Sequence, residues 1–265
     1  MSTRLDIKLV ELGIATGREK AKQYIKDGNV LVDGKVALKP SFEVEECSKI
    51  EFIGNAEKYV GRAGYKLEKA IEVFEIDVKG LACADLGAST GGFTDCLLQN
   101  GAEKVYAVDV GHGQISEKLL QDDRVINIEG MNVKDVDETA FGCVDFVCAD
   151  LSFISVKYAS LAAVKILKNG CKAVLLVKPQ FEVGKKNISK GGIVKDKNCH
   201  ITLLNDMYLH FQTIGFGVDG ISFSPITGGD GNIEYLFYLT KGSDNAHTYN
   251  FKDIVTEAFN FHEKR

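Results

Sequence analysis

Four charged residues of this chain stand next to apolar runs that have no local use for them: Lys66, Asp150, Lys178 and Glu234. Lys178 is the most telling. Four aliphatic residues, Val174 to Val177, run directly into it, and Pro179 follows. A short apolar run of this kind reads as a strand buried on both faces. A lysine at its end has an ordinary explanation, in which the stem covers the core rim and the ammonium snorkels to water. Its other use is chemical. A lysine whose pKa is lowered by burial or by a second cation can take or relay a proton at neutral pH. Lys66, in GYKLEK, supplies a second cation, and the carboxylates of Asp150 and Glu234 push the other way. Lys66 falls in the first turn of a predicted helix, where a cation opposes the helix dipole. A surface lysine is the bland alternative there.

A second constellation is DLGASTGGFTD, residues 85–95. A glycine-rich turn between a strand and a helix lets the backbone approach a ligand closely. Gly87, Gly91 and Gly92 do not have the spacing of a dinucleotide site, and no Lys-Ser/Thr ending makes a phosphate loop. Asp109 ends the next strand, where a carboxylate can bind the hydroxyls of an adenosine ribose. Ordinary polar residues at strand ends are the alternative for Asp85 and Asp109.

The elements that must position these groups alternate from residue 80 onward. LACADLG, KVYAVDV, RVINIEG, VDFVCADL, KAVLLVKP, DGISFSP and IEYLFYLT read as strands. TGGFTDCLLQNG, VKYASLAAVKILKNG and KNCHITLLNDMYLHFQTIG read as helices. Such alternation predicts a mainly parallel, doubly wound α/β sheet with helices on both faces. Strand ends at its carboxyl edge face the ligand crevice, which gathers Asp150, Lys178 and, from an antiparallel last strand, Glu234. YVGRAGYKLEKAIEVFEI predicts a helix from about Gly64 that carries Lys66. The Gly- and Lys-rich stretch VGKKNISKGGIVKD, residues 183–196, is a lid or a mobile loop.

The N-terminal 58 residues form a separate unit. Leu5, Leu9 and Leu12 share a helical face that Gly13 ends, and Thr16 is positioned to cap a second helix closing at Gly28. NVLVDGKVAL turns at Asp33-Gly34, and SKIEFI adds a strand. Over residues 1–39 eight Lys and Arg face five acids, a net of +3, while the whole 265-residue chain carries −5. A basic end on an acidic body implies a division of labour.

Composition bounds the rest. With 45% hydrophobic and 26% charged residues the chain is an ordinary globular protein with material for a sizeable core. Seven scattered cysteines without a CxxC pair predict reduced, buried thiols in a cytoplasmic protein and no zinc or other metal site. No export signal, no membrane span and no tryptophan argue against a membrane-active protein.

Residues 3–41, from the RLD start through the G-x-V-x-V-x-G hairpin to KPS, resemble the S4-type RNA-binding domain. The resemblance implies phosphate contacts from Arg4, Arg18, Lys20, Lys22 and Lys26, as cations on one helix face that release counterions from a polyanion. A solvated basic face is the alternative. The D-x-G-x-x-x-G-G-F turn followed by an acid resembles S-adenosylmethionine-dependent methyltransferases, and within them the FtsJ type. That resemblance implies a donor site with Asp85, Gly87, Ser89, Gly91 and Phe93 around the methionine part, Asp109 on the ribose, Asn132 near the adenine edge and Asp150 beside the sulfonium. The FtsJ pattern has an aspartate where this chain has Asn132.

The order Lys66, Asp150, Lys178, Glu234 is similar to the K-D-K-E tetrad of FtsJ-like 2′-O-methyltransferases. Lys178 would then be the central base or activator of the 2′-hydroxyl, Lys66 and Glu234 would orient Lys178 and the hydroxyl, and Asp150 would tune Lys178 near the methyl donor. RAGYKL, DLGASTGGFT, DVGHGQ, ADLSFIS, VKPQFEVG and GNIEY occur in the order of the TlyA family, also called hemolysin A. The resemblance implies a Rossmann-like methyltransferase fold behind an α+β S4-type domain, and 2′-O-methylation of cytidine in ribosomal RNA on ribosomal subunits. It implies an S4-type domain at 1–58, a linker at 59–63, a methyltransferase domain at 64–245 and a helical tail at 246–265. A non-catalytic assembly factor is the competing reading. His112, in GHGQ, is outside the tetrad and reads as a structural loop residue near the cofactor.

Overall fold

The computed structural model describes residues 2–15, 17–54, 58–245 and 247–264. Contacts divide the chain into two compact units, Met1–Lys58 and Tyr59–Arg265.

In the first unit β1 (Ser2–Arg4) leads into α1 (Leu5–Glu11), followed by α2 (Arg18–Lys26), β2 (Val30–Val32), β3 (Lys35–Val36), β4 (Glu43–Glu45) and β5 (Ile50–Phe52). The hairpin turns at Asp33 and Gly34, both at positive φ (50° and 77°), as a tight two-residue turn requires. β2 also pairs with β5, and β1 pairs antiparallel with β4. Leu5 and Leu9 are fully buried with Ala21, Ile25 and Val30, but Leu12 is half exposed. It lies past the end of α1, where the helical repeat no longer governs its direction. Thr16, expected as the cap of α2, lies outside the described residues.

Asp6 is the one charged side chain shut inside this unit's described core. Arg4 Nε and Nη2 donate to its two oxygens at 3.0 and 3.1 Å, and Arg18 Nη2 adds a third bond at 3.1 Å. The bonds from Arg4 hold its carboxyl down at about 2, against the opposing effect of burial, with Arg18 adding to them. Two residues expected on RNA phosphates therefore clasp the start of α1 to the start of α2.

The second unit continues with α3 (Gly64–Val73), β6 (Ala82–Leu86), α4 (Gly92–Gln99), β7 (Lys104–Asp109), α5 (Glu117–Leu120), β8 (Val125–Glu129), α6 (Glu138–Phe141), β9 (Val144–Ala149), α7 (Lys157–Ile166), β10 (Leu167–Val177), α8 (Pro179–Glu182), α9 (Lys197–Thr213), β11 (Phe216–Phe223), β12 (Tyr235–Lys241) and α10 (Phe251–Glu263). Its strands form one sheet in the order β11-β12-β10-β9-β6-β7-β8. From β10 to β8 neighbours run parallel, and β12 is antiparallel to both its neighbours. Successive residues of β10 feed opposite cores. Ala173, Leu175 and Val177 pack with α7, α9 and α10, while Val174 and Leu176 pack with α3 and α4. Burial on both faces is why the run before Lys178 is continuously apolar.

Two expectations change here. LKNG, read as the end of a helix, opens β10, and Gly170 at φ 79° sits in a register shift between Leu167 and Lys172. The thiols are free, but only Cys83, Cys96 and Cys148 are buried, and Cys47 and Cys143 are exposed. No described helix is long and apolar enough to cross a membrane.

Removing the Asp6 clasp tests its weight. Asp6→Ala is expected to cost about 2 kcal/mol, the worth of hydrogen bonds to a charged group, read as a lower first melting transition. Because its folded pKa lies below the unfolded value, the clasp's contribution is present above pH ~4 and is lost as pH falls toward 2. Urea melts of wild type and variant are expected to converge over that window.

Candidate active site

The topological switch point of the sheet lies between β6 and β9, whose ends pair at Leu86 and Ala149. Gly87 and Asp150 come next in sequence and stand side by side. Gly87 has φ 88°, and a Cβ there would meet Asp150 O at 3.0 Å. On the other side, Val177 of β10 pairs with Tyr235 of β12. Lys178 leaves one strand where Glu234 enters the other, because the two run in opposite directions. α3 brings Lys66 from below: a Cβ on Gly92 at the start of α4 would press on Gly64 N at 2.9 Å and on Ala63. Close packing of two backbones, which only glycine allows, thus sets the height of Lys66.

The four groups form one chain of contacts. Lys66 Nζ lies 2.7 Å from Glu234 Oε2 and 3.2 Å from Asp150 Oδ2. Lys178 Nζ lies 2.5 Å from Asp150 Oδ1 and donates to Ser152 Oγ at 2.9 Å. Lys66 and Lys178 are each only 7% exposed and Glu234 1%. Neither lysine snorkels to water, and Lys66 is not a surface residue. Burial pulls the Lys66 pKa down, but Asp150 and Glu234 outweigh it and leave Lys66 above its ordinary value, a fixed cation. Burial raises Glu234 against the pull of Lys66.

Beside this chain a cleft of about 500 Å³ opens, lined by Gly87, Ser89, Asp109, Asn132 and Asp150, with Val110, Met131 and Ile154 as apolar walls. Its size is that of a pocket for a nucleoside-sized ligand. Asp109 Oδ2 accepts from Ser89 N and Oδ1 from Gly111 N, both at 2.8 Å. The carboxylate thereby ties the glycine turn to the loop after β7 and keeps a second lone pair on each oxygen for a ligand's hydroxyls. Asn132 caps a short 3₁₀ turn through Lys134 N at 3.1 Å and lines the cleft. Ser89 sits at φ 50° and donates to Gln114 Oε1. These residues fit S-adenosylmethionine: a glycine cradle for the methionine part, a strand-end acid for ribose hydroxyls and an apolar slot for the base.

Other expected residues are held within the fold around the glycine turn. Gly91, at φ 92°, leaves no room for a Cβ because Leu119 fills the space. Phe93 is 2% exposed in the second core, with an edge on a smaller pocket of about 150 Å³ shared with Lys178 and Ser152. Asp85 is fully buried. Its Oδ2 accepts from Thr94 N and Oγ1 at 2.9 and 2.7 Å, bracing the first turn of α4, and its Oδ1 has no hydrogen-bond partner among the described residues. Burial, with the charges of Asp150 and Asp109, raises its pKa to about 7 against the Thr94 bonds. His112 lies exposed over Gly130, 3.7 Å from Glu129.

Lys20 sits 5.2 Å over the Tyr24 ring, Lys22 is 2.5 Å from Glu19, and Lys26 is exposed. The sequence reading missed Ser152, whose type and spacing carry no signal, and Phe153. Phe153 is 87% exposed at φ 68°, its ring 5.5 Å from Phe181. A bulky residue held in that backbone region costs about 1–3 kcal/mol.

A sheet of this order, a glycine turn at its switch point and two lysines interleaved with two acids at the adjoining strand ends define a Rossmann-like methyltransferase. Residues 59–241 match the FtsJ-like methyltransferases and residues 3–50 the S4 domain. The chain belongs to the FtsJ-like methyltransferase family, in the branch whose members are named TlyA or hemolysin A.

Hemolysin A of Brachyspira hyodysenteriae is 43% identical over 238 residues, covering 89% of this chain and 99% of its own. The 16S/23S rRNA (cytidine-2′-O)-methyltransferase TlyA of Mycobacterium tuberculosis is 40% identical over 92% of this chain and 91% of its own. The 23S rRNA (cytidine-2′-O)-methyltransferase TlyA of Campylobacter jejuni is 33% identical over 84% of this chain and 94% of its own. The solved structure of a Streptococcus thermophilus protein carried under the hemolysin name superposes with a TM-score of 0.80 at 40% identity, covering 99% of this chain and 98% of that one.

Asp85 offers a pH test. Its folded pKa lies above the unfolded value, so its contribution is full below pH ~4 and is lost as pH rises through 7. The stability of Asp85→Asn relative to wild type is expected to rise between pH 4 and 8 in urea melts. A constant difference would mean that the carboxyl does not titrate in that range.

Proposed function

We propose that this protein transfers a methyl group from S-adenosylmethionine to the 2′-hydroxyl of a cytidine in ribosomal RNA, acting on ribosomal subunits in the cytoplasm. The observation that carries the reading is the chain Glu234–Lys66–Asp150–Lys178 at the edge of the cleft lined by Gly87 and Asp109. The bound donor supplies an electrophilic methyl on a sulfonium.

The residues of the chain do the rest. A ribose hydroxyl is a poor nucleophile and must lose its proton as it attacks. Lys178 takes or relays that proton, and Asp150, 2.5 Å away, holds its ammonium. Ser152 fixes the direction of Nζ. Lys66, kept cationic, spaces Asp150 from Glu234 and orients the hydroxyl with it. Donor and acceptor held in line supply much of the remaining rate. Phe153, exposed and strained at the mouth, offers a face on which an unstacked base can rest.

The first unit is read as the RNA-docking S4-type domain at 1–58, followed by a linker at 59–63, the methyltransferase domain at 64–245 and a helical tail at 246–265. Lys20, Lys22 and Lys26 reach phosphate. Arg4 and Arg18, committed to Asp6, add their outward edges.

The test is methyl transfer from radiolabelled S-adenosylmethionine to both ribosomal subunits from cells lacking the gene. Label is expected as a 2′-O-methyl on at least one subunit. Lys178→Ala is expected to lose roughly 10²–10⁴-fold in rate while still binding the donor, measured by calorimetry. Donor binding without label on either subunit would instead indicate a non-catalytic RNA-binding factor. Phe153→Ala is expected to raise KM for the subunit about tenfold, since stacking one base contributes ~1–3 kcal/mol, and to leave donor affinity unchanged.

A further inference from the structure

The second unit is acidic, with 22 Lys and Arg against 27 Asp and Glu over residues 59–265. Among the described residues, six of its Lys and Arg are paired to carboxylates: Lys66, Lys118, Arg124, Lys168, Lys172 and Lys178. Residues 185–195 stand out by density, with four lysines in eleven residues and no acid. Lys185, Lys186, Lys190 and Lys195 are all exposed, and none has an ion pair or side-chain hydrogen bond among the described residues. The neighbouring carboxylates are engaged elsewhere. Glu182 accepts from Ser155 Oγ and Val156 N, and Asp196 caps α9 through Asn198 N.

The segment is built, not loose. Ser189 N donates to Ile193 O at 3.0 Å and closes a turn. Asn232, fully buried, accepts from Val194 N at 3.0 Å and donates to Gly192 O at 2.9 Å. His200, also fully buried, donates from Nε2 to Val194 O at 2.9 Å and accepts at Nδ1 from Tyr235 Oη at 2.8 Å. Burial lowers the His200 pKa, so the ring is the neutral donor–acceptor these bonds need. The segment is tied to the neighbourhood of the charged groups: it follows α8, which starts directly after Lys178, and Asn232 and Tyr235, the partner of His200, bracket Glu234. The arm starts four residues after Phe181, which pairs with the exposed Phe153.

We propose that residues 185–195 are a preformed cationic arm that grips the phosphates of the RNA strand flanking the target nucleotide, on the catalytic unit itself. The proposal rests on the RNA-methyltransferase reading above. Physically, an acidic unit repels a polyanion, and unpaired lysines beside its reactive edge offset that repulsion where the strand must enter. Pinning the arm beforehand spares the ordering entropy that a mobile loop would lose on binding. Aromatic rings at its base complete the combination of stacking faces and cations that binds unpaired strands.

The test uses the full-length protein carrying Lys185→Gln, Lys186→Gln, Lys190→Gln and Lys195→Gln together. Its control changes the same net charge at exposed lysines elsewhere on the unit: Lys79→Gln, Lys104→Gln, Lys252→Gln and Lys264→Gln. Binding of labelled ribosomal RNA is measured between 50 and 200 mM salt, roughly the range over which phosphate contacts are read, and donor binding is measured alongside. The arm variant is expected to bind RNA at least about tenfold more weakly than the control variant. Its log–log salt slope is expected to be shallower by about 3, near 0.7–0.9 per lost phosphate contact. Donor affinity is expected to be unchanged, and on a methylated subunit KM rises while kcat holds. Equal affinity and slope in the two variants would overturn the arm. Arm-dependent RNA binding by a wild-type protein that labels neither subunit would overturn the methyltransferase reading and leave the arm standing.

Discussion

Two ammonium groups and two carboxylates are shut away from water together at the end of this sheet, and much of the catalytic unit is arranged to make that tolerable. Burying one such charge alone costs several kcal/mol; burying four in alternation lets each cation lie against a carboxylate. The contacts run Glu234, Lys66, Asp150, Lys178, with Ser152 closing the far end. Strand directions follow from this need. β10 must end where β12 begins, so β12 runs antiparallel; β9 must end beside the glycine turn, so Asp150 lies between the cleft and the lysines.

The glycines serve the same end. Gly87 lets the turn after β6 lie against the backbone of Asp150, and Gly92 lets α4 lie against the approach to α3. A side chain at either place would press on the backbone that carries Asp150 or Lys66. Reaction between bound partners depends steeply on such positions. Asp109, bonded to Ser89 N and Gly111 N, ties the glycine turn to the loop that follows β7.

Much of this was legible in the chain. The apolar run ending on Lys178 predicted a strand buried on both faces, and β10 is one, because every residue of VLLV finds a core. The alternation of strands and helices predicted the sheet, and Asp33-Gly34 the hairpin. The misses have physical reasons. LKNG carries no β-branched residue, yet it extends β10 through a register shift that only the partner strand defines. Leu12 fits a helical face by spacing but lies beyond the helix. β1 owes its state to β4, forty residues away, a pairing without local signature. Arg4 and Arg18 looked like two cations for phosphate because the burial of Asp6 cannot be read from a helix that begins LDIKLV. Ser152 and Phe153 owe their directions to a backbone kink at positive φ that no residue type in ADLSF announces.

Glu234 enters from β12, the last strand of the sheet in chain order, while Lys66 lies in the first helix of the same unit. On a ribosome making this protein, the first unit is complete long before β12 leaves the exit tunnel, and units fold in the order in which they emerge. A partly made chain holds Lys66, Asp150 and Lys178 but lacks the carboxylate and the strand that seal them from water. The proposed catalytic site therefore comes into being only once β12 has been made, so a copy that stops short of β12 has the S4 domain but not the assembled tetrad.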